Sequence, residues 1–328
     1  MATLHLTFGC TYYDHFSDLV SGRFAPSGIE LTCQQHPMPN QIFRRFLLDG
    51  EFDLSELSMA KYASLISQRD DRFVAIPVFP SRVVRFSSLY VRRDGKVKAP
   101  GDLNGCVIGL PEWAQTAAVY TRGMLMREHG LDLAKVDWVQ AGVDEPGRAE
   151  KVESRMPKGV RVTPQPAKTL SDMLVSGEID VIMAAHVPAC FRHEHANVRR
   201  LFEDTAAAEQ DYVRRTGIFP IMHTVAIRRQ VLDLVPKAAA SLYAAFEQAR
   251  RHSLERLFSV GSHVPLPWAH EYAEQIKGIF GGEFFPYGVE PNRKTLEAFL
   301  GFAYEQGVCH TPVTVEELFP LRLDRVST

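Results

Sequence analysis

A short pattern centred on a glycine occurs twice in this sequence, as residues 47–55 (LLDGEFDLS) and as residues 174–182 (LVSGEIDVI). In each copy an apolar stripe with helical spacing leads to Gly50 or Gly177, and a short apolar strand follows. A glycine at this position can take the left-handed conformation that commonly ends a helix. The repeat therefore predicts two similar α/β units rather than one continuous sheet.

Helix and strand signals alternate around both copies of the pattern. Asn40 and Thr169 stand where the two helices should be capped, and Asp172 completes a capping box with Thr169. Pro236 is expected at the first position of a later helix, the first of three in the last third of the chain. The other predicted strands cover residues 4–8, 29–34, 74–78, 87–91, 106–110, 137–140 and 222–227, and the other predicted helices cover residues 12–20 and 116–129.

These elements predict the α/β fold class, with two lobes that are each a mixed sheet flanked by helices. A chain of 328 residues is long enough for two such lobes. We expect lobe 1 to comprise residues 1–90 and 222–328, including the C-terminal helices, and lobe 2 to comprise residues 91–221. Two hinge crossovers near residues 90 and 220 would join them. Open sheets bind ligands at the carboxyl ends of their strands, so the site should lie between the lobes.

Charge and composition argue against several classes of function. The formal net charge is −2 at pH 7 without a long basic run, so a nucleic-acid partner is not expected. No stretch of about 18 apolar residues occurs, so no membrane partner or membrane span is predicted. The N-terminus lacks the features of a signal peptide, and the five cysteines are an odd number without a C-x-x-C pair. Both features predict a cytoplasmic location with reduced thiols.

Several loops after predicted strands carry side chains suited to an anion or to proton transfer. Arg82 and Arg85 follow an apolar strand end, where a guanidinium group can bind a carboxylate through two hydrogen bonds; a solvated surface pair is the equally weighted alternative. His223 begins an apolar strand next to the second crossover, and imidazole suits proton transfer, although a hydrogen-bonded core histidine is more common there. His186 follows the strand of the second repeat, where a ligand-facing histidine and an ordinary loop histidine are equally weighted.

Residues 111–116 (PEWAQT) precede a predicted helix, so free backbone N–H groups and the helix dipole favour an anion there, and Trp113 can stack on a ring. An ordinary N-cap with a packed tryptophan is the slightly favoured alternative. The cysteine and histidines between residues 190 and 195 match no zinc spacing and are interpreted as a solvated helix face. No metal site is therefore predicted, with participation by a divalent metal left open. Nucleotide-binding and nucleophile-elbow motifs are absent, so the usual sequence signs of dinucleotide, nucleoside-triphosphate and acyl-transfer chemistry are missing.

Five segments distributed over nearly the whole chain are specific in combination. They are residues 53–58 (DLSELS), 79–82 (FPSR), 111–123 (PEWAQTAAVYTRG), 218–223 (IFPIMH) and 287–293 (YGVEPNR). Together they resemble the bacterial 4,5-dihydroxyphthalate decarboxylase family, whose members share the type 2 periplasmic-binding-protein fold. One departure is Phe86, which follows Arg85 where the family pattern has a histidine.

The resemblance implies a cofactor-independent decarboxylase of a hydroxylated aromatic dicarboxylic acid, which converts 4,5-dihydroxyphthalate to protocatechuate and carbon dioxide. A hydroxyl group para to the departing carboxylate lets the ring accept a proton at the carboxylated carbon, so the ring is its own electron sink. The protein then has to bind the other carboxylate, take a phenolic proton, deliver a proton to carbon and exclude water.

The resemblance also suggests residue roles. His223 is the first choice for the proton donor to carbon, and Glu56 or His186 would take the phenolic proton. Ligand binding would use two cations, three neutral hydrogen-bonding groups and one aromatic ring, namely Arg82 and Arg85, then Ser58, Gln115 and Thr116, and finally Trp113. The alternative is a non-catalytic solute-binding protein or a sensor for a small aromatic or anionic ligand, since the same fold serves binding alone. A homo-oligomer is compatible with the sequence.

Overall fold

The computed structural model describes residues 3–261 and 263–323. Its strands are β1 (Leu4–Cys10), β2 (Ile29–Gln35), β3 (Leu54–Ser58), β4 (Phe73–Ile76), β5 (Leu89–Arg92), β6 (Val107–Leu110), β7 (Asp137–Gly142), β8 (Arg161–Thr169), β9 (Val181–Met183), β10 (Val198–Arg200) and β11 (His223–Arg228). Its α-helices are α1 (Ser17–Val20), α2 (Pro39–Leu47), α3 (Met59–Ser67), α4 (Thr116–His129), α5 (Leu170–Ser176), α6 (Ala189–Arg192), α7 (Thr205–Thr216), α8 (Arg229–Leu234), α9 (Ala238–Phe258), α10 (Ala269–Phe280), α11 (Arg293–Glu305) and α12 (Val315–Leu318).

The strands form two separate mixed sheets, which confirms the predicted fold class. The first sheet has the order β2-β1-β3-β11-β4, and the second has the order β10-β5-β9-β6-β7-β8. Strand β11 is antiparallel to both β3 and β4, and β5 is antiparallel to β9. The chain thus leaves the first sheet, builds the second, and returns through β11. The first sheet with its helices is called lobe 1 below and the second lobe 2; the lobe boundaries in the chain stay a prediction.

The second copy of the repeat forms the predicted local structure. The side chain of Thr169 accepts a hydrogen bond from the Asp172 backbone N–H at 3.2 Å and caps α5, which ends at Gly177 with φ +82°. The first copy differs in both caps. Met38 is the N-cap of α2 because Pro39 occupies its first position, and Asn40 lies inside the first turn. Helix α2 ends before Gly50, although that glycine also has a positive φ of 71°.

Most predicted elements occur within a few residues of their expected positions. Helix α4 has the predicted bounds, and Gly130 with φ +66° ends it. The helix expected over residues 12–20 is instead a 3-10 turn, Asp14–Phe16, followed by the short α1. Pro236 lies before α9, whose N-cap is Lys237, so that proline does not occupy the first helical position. No helix of the described residues is long and apolar enough to cross a bilayer.

Helix α11 joins the two lobes, since it packs against α3 of lobe 1 and α4 of lobe 2. The Phe302 ring lies so close to Gly123 that a Cβ atom added there would overlap it. The fully buried Arg122 stacks over the Trp113 ring, 3.8 Å from its centroid, and donates to Gln306 Oε1 at 2.8 Å. The lobes therefore share a buried contact through α11.

Candidate functional site

A cavity of about 110 Å³ lies between the lobes and receives loops from both sheets. Lobe 1 and the return crossover contribute Pro39, Asn40, Phe43, Ser58, Lys61, Met222 and His223. The first crossover and lobe 2 contribute Arg85, Glu112, Gln115, Thr116, Ala117, Arg148, Ala185 and His186. A larger groove of about 680 Å³ runs along α9 on the outer surface, but it contains none of the residues predicted for the site. The inter-lobe cavity is therefore the candidate site.

His223 is held in the cavity wall by its contact with Glu56. Strands β11 and β3 are antiparallel, and His223 lies opposite Ser58 on the neighbouring strand. The ring nitrogen Nδ1 of His223 lies 2.6 Å from Glu56 Oε1. The ring of Phe43 meets the imidazole edge to face, with centroids 5.0 Å apart. Because Nδ1 is engaged by the carboxylate, Nε2 is the nitrogen available to a ligand.

Glu56 lies behind His223 and does not line the cavity. Its side chain is completely buried and accepts hydrogen bonds from the Thr11 backbone N–H at 2.8 Å, the Thr11 hydroxyl and the Tyr13 hydroxyl at 2.5 Å. Burial acts to raise the pKa of Glu56, but the contacts with His223, Thr11 and Tyr13 hold it below its usual range. Glu56 is therefore an ionised carboxylate that reaches a ligand only through the imidazole of His223.

The two arginines predicted to act together are separated in the structure. Arg85 lines the cavity, donates to the Ala185 carbonyl at 3.2 Å, and has a buried Nε without a hydrogen-bond partner in the part of the chain that the structure describes. Arg82 lies outside the cavity and donates to the carbonyl of Phe219 at 2.9 Å, with its guanidinium group over that ring. Its backbone bridges to Ile221, so Arg82 joins the two crossovers. Only Arg85 of the pair is available to a ligand.

Three further residues predicted for the site, His186, Ser58 and Thr116, also line the cavity. Burial, Arg85 and Arg148 all lower the pKa of His186, so its imidazole is neutral near pH 7. The hydroxyl oxygens of Ser58 and Thr116 lie 2.9 Å apart and join the two lobes. Thr116 also accepts a hydrogen bond from the Ala60 backbone N–H at 3.0 Å. Both hydroxyl groups are thus already engaged in the closed arrangement.

Gln115 and Trp113, neighbours in one loop, have different environments. Gln115 lines the cavity and has a buried Oε1 that no donor of residues 3–261 and 263–323 reaches. Trp113 is buried against Trp138, with ring centroids 5.3 Å apart, and donates through Nε1 to the Gln306 carbonyl at 2.8 Å. The expectation that Trp113 covers a ligand ring is therefore corrected: its ring is enclosed by the contact between the lobes.

A cluster of charged residues at the cavity was not singled out from the sequence. Glu112, with 1% of its side chain exposed, lies 3.4 Å from Lys61 Nζ and 3.5 Å from Lys151 Nζ, and it forms an ion pair with Arg148. Glu112 belongs to the PEWAQT loop, but its partners come from α3 and from a distant loop without a recognisable motif. Among the described residues, no group of three or more His, Cys, Asp or Glu side chains is arranged to hold a metal ion.

Solved structures of low sequence identity share this fold. The sulfonate-binding protein SsuA from Methylobacillus flagellatus KT has a TM-score of 0.55 at 13% identity, covering 97% of this chain and 92% of that chain. The desulfurization enzyme DszB has a TM-score of 0.53 at 16% identity, covering 98% and 97%. The Candida albicans CA3427 gene product has a TM-score of 0.52 at 12% identity, covering 98% and 94%. These likenesses support the type 2 periplasmic-binding-protein fold.

Two characterised relatives share substantially more sequence. No protein-family model matches the chain. The 4,5-dihydroxyphthalate decarboxylase of Pseudomonas putida is 35% identical over 215 residues, which cover 65% of this chain and 83% of that protein. The 4,5-dihydroxyphthalate decarboxylase of Comamonas testosteroni is 32% identical over 321 residues, which cover 97% of each chain. Since this identity extends over nearly the full length of both sequences, the chain belongs to the 4,5-dihydroxyphthalate decarboxylase family.

Proposed function

We propose that this protein is a cofactor-independent decarboxylase of a hydroxylated aromatic dicarboxylic acid, with 4,5-dihydroxyphthalate as substrate and protocatechuate and carbon dioxide as products. The observation that carries the proposal is the His223 imidazole, which is fixed by the buried Glu56 carboxylate and lines a cavity that also contains Arg85 and His186. Membership of the family supports the same reaction.

The first step uses the cationic part of the cavity. Arg85 binds the carboxylate that the product retains, since its guanidinium group is mostly buried and has an unpartnered N–H. His186 is neutral and takes the proton of the hydroxyl group para to the leaving carboxylate. The O–H electron pair stays on oxygen as a phenolate and can be delocalised into the ring.

In the second step, the doubly protonated imidazole of His223, whose Nδ1–H is donated to the Glu56 carboxylate, donates its Nε2 proton to the ring carbon that bears the leaving carboxylate, and the ring becomes a dienone. The bond from that carbon to the carboxyl group then breaks, its electron pair returns to the ring, and neutral carbon dioxide departs. The phenolate formed with the aromatic ring recovers its proton from His186. Nε2 of His223 takes up a proton from solvent before the next turnover. Glu56 is a positioning residue, because its contact with Nδ1 directs Nε2 toward the cavity.

Closure of the lobes supplies alignment and excludes water. A volume of about 110 Å³ is below the range of roughly 300–1,000 Å³ that is usual for ligand sites, so we expect the lobes to separate when substrate enters. The packed contact between helices α4 and α11 would stay in place during this movement.

The decisive experiment incubates purified protein with 4,5-dihydroxyphthalate and follows carbon dioxide release together with the absorbance of protocatechuate. The proposal predicts stoichiometric formation of both products without an added cofactor. Tight binding of 4,5-dihydroxyphthalate with no product would overturn it and favour the alternative, a solute-binding protein or sensor. A cytoplasmic location and the oligomeric state are separate predictions that this assay does not address.

A further inference from the structure

The charged side chains of the cavity wall are not balanced. Lys61, Arg85 and Arg148 are cations that line the cavity, whereas Glu112 is the only carboxylate among its lining residues, so the wall carries an excess of two positive charges. Burial acts to raise the pKa of Glu112, but Lys61, Arg148 and Lys151 hold it below its usual range, so Glu112 is ionised. The unbalanced cations favour a ligand with two negative groups.

The two arginines and the proton donor come from different segments of the wall, while the third cation, Lys61, has its Nζ 5.5 Å from the centroid of the Phe43 ring. His223 is flanked by Phe43 and follows Met222, and both of these neighbours are apolar. Arg148 and His186 both belong to lobe 2 and line the cavity, and Arg85 and Arg148 both lie close enough to His186 to lower its pKa. A carboxylate placed beside His223 would therefore lack an arginine from that strand, whereas an oxygen placed beside His186 would lie near two arginines.

Arg148 is also incompletely engaged. It forms an ion pair with Glu112, yet its Nε is buried and has no hydrogen-bond partner among the described residues. The Nε of Arg85 is unpartnered in the same way. Buried donors without partners are uncommon in native proteins and are typical of sites that a ligand completes. Within the described residues, unpartnered buried Nε atoms also occur on Arg82 and Arg200 outside the cavity, so the feature that distinguishes Arg85 and Arg148 is that both line the same cavity as His186.

We propose that Arg148, positioned by Glu112, stabilises the phenolate oxygen of the bound ligand, while Arg85 binds the retained carboxylate. This inference rests on the proposed function for the identity of the ligand and adds a residue to its site. In the step concerned, the phenolic O–H bond breaks, the proton passes to His186, and the negative charge remains on the oxygen beside Arg148. The leaving carboxylate then lies beside His223 and Phe43 until it departs as neutral carbon dioxide.

The experiment uses protocatechuate, the expected product, because it has a carboxylate and phenolic hydroxyl groups but no second carboxylate to lose. Its ultraviolet spectrum changes when a phenol ionises, so the ionisation of the bound ligand can be titrated without turnover. A cation within about 4–6 Å lowers the pKa of an acidic group by about one to three units. We expect bound protocatechuate to ionise at correspondingly lower pH than free protocatechuate in the wild-type protein.

Three variants isolate the contribution of Arg148. Arg148→Met should abolish most of the shift in the phenol pKa of bound protocatechuate. It should also weaken protocatechuate binding at pH 8 about tenfold or more, because a charged hydrogen bond is lost. Arg148→Lys keeps the charge and should retain part of the shift. Lys151→Met removes another cation that contacts Glu112 but does not line the cavity, so it should leave the shift nearly unchanged.

Glu112→Gln tests whether Glu112 positions Arg148. We expect this variant to reduce the shift in the phenol pKa of bound protocatechuate, whereas Glu112→Asp should retain part of the shift. If Glu112 only stabilised the fold, Glu112→Gln would change the unfolding temperature and leave the spectrum of the bound ligand unchanged. An unshifted phenol in the wild-type protein, or an Arg148→Met variant with the wild-type shift, would overturn the inference. If the protein turns over 4,5-dihydroxyphthalate but does not shift the phenol pKa of bound protocatechuate, only the role of Arg148 is refuted. If it shifts that pKa but does not turn over 4,5-dihydroxyphthalate, only the proposed decarboxylation is refuted.

Discussion

Glu56 and His223 form a contact of 2.6 Å between two adjacent antiparallel strands. Val225 lies opposite Glu56, and His223 lies two residues before Val225, so the two side chains emerge on the same face of the first sheet. The completely buried carboxylate therefore orients the imidazole from behind. This pair, rather than either residue alone, determines which nitrogen of His223 faces a ligand.

Replacement of His223 should stop proton delivery while leaving the cationic part of the cavity intact. We expect His223→Gln to lower kcat for 4,5-dihydroxyphthalate by about 10²–10⁴ with a much smaller change in KM. His5→Gln is the control, since the His5 side chain is 73% exposed. Steady-state kinetics of both variants measure the effect, and undiminished turnover by His223→Gln would remove this residue from the mechanism.

Glu56→Gln should lower both activity and stability. The buried side chain would lose the charge that accepts hydrogen bonds from Thr11, Tyr13 and His223. Each hydrogen bond to a charged group contributes about 1.5–3 kcal/mol, so urea denaturation should show a loss of at least this size. Tyr13→Phe removes one donor only and should cost less. A Glu56→Gln protein with wild-type kcat would contradict the positioning role.

Arg82 and Arg85 should respond differently to replacement by methionine. Arg85→Met should raise KM about tenfold or more, because a ligand-binding cation is lost, and should lower the unfolding temperature less than Arg82→Met does. Arg82→Met should lower the unfolding temperature and leave KM nearly unchanged, since it removes the guanidinium group that donates to the Phe219 carbonyl and lies over that ring. Kinetics and thermal denaturation of both variants test this, and the reverse pattern would refute the assignment.

Two glycines in the facing helices α4 and α11 provide a matched test of the contact between the lobes. Gly123→Ala would place a methyl group against the Phe302 ring and should be destabilising by about 1–3 kcal/mol. Gly301→Ala meets no atom of the described residues within 4 Å and should stabilise the protein by about 0.5–1 kcal/mol through its higher helix propensity. Urea denaturation measures both changes. Equal effects would mean that the α4–α11 contact is not tightly packed.

His15 should make stability depend on pH. Burial is the main cause that lowers its pKa from 6.5 to about 4. The unfolded chain therefore takes up a proton as the pH falls below 6.5, while the folded protein resists protonation until about pH 4. The stability contribution is fully present above pH 6.5 and is lost progressively as the pH falls toward 4.

The same dependence should be smaller in a variant without this imidazole. His15 packs against Phe16 and Phe285, so His15→Phe suits its surroundings. Urea midpoints at pH 7 and pH 5 should differ less in His15→Phe than in the wild-type protein. The exposed His5→Gln variant should keep the wild-type difference. An unchanged pH dependence in His15→Phe would show that other groups cause it.

Local sequence signals predicted most of the secondary structure because they act within one turn of the chain. Thr169 with Asp172 begins α5, and Gly177 and Gly130 end α5 and α4 in the left-handed conformation. Strand β8 was missed since it is a mostly exposed edge strand with two prolines and no apolar alternation. Its strand conformation depends on parallel pairing with β7, and a local residue pattern does not indicate such pairing.

Residue patterns alone indicate two α/β units and place Arg85, His186 and His223 in loops or strand starts that open toward a ligand. The contacts of Glu56 with His223, of Arg82 with Phe219 and of Arg148 with Glu112 are visible only in the folded chain. Periodicity and capping specify backbone conformation and burial, because both act between residues that are close in the chain. The partner of a buried charge depends on strand order and on contacts between lobes, which join residues far apart in the chain.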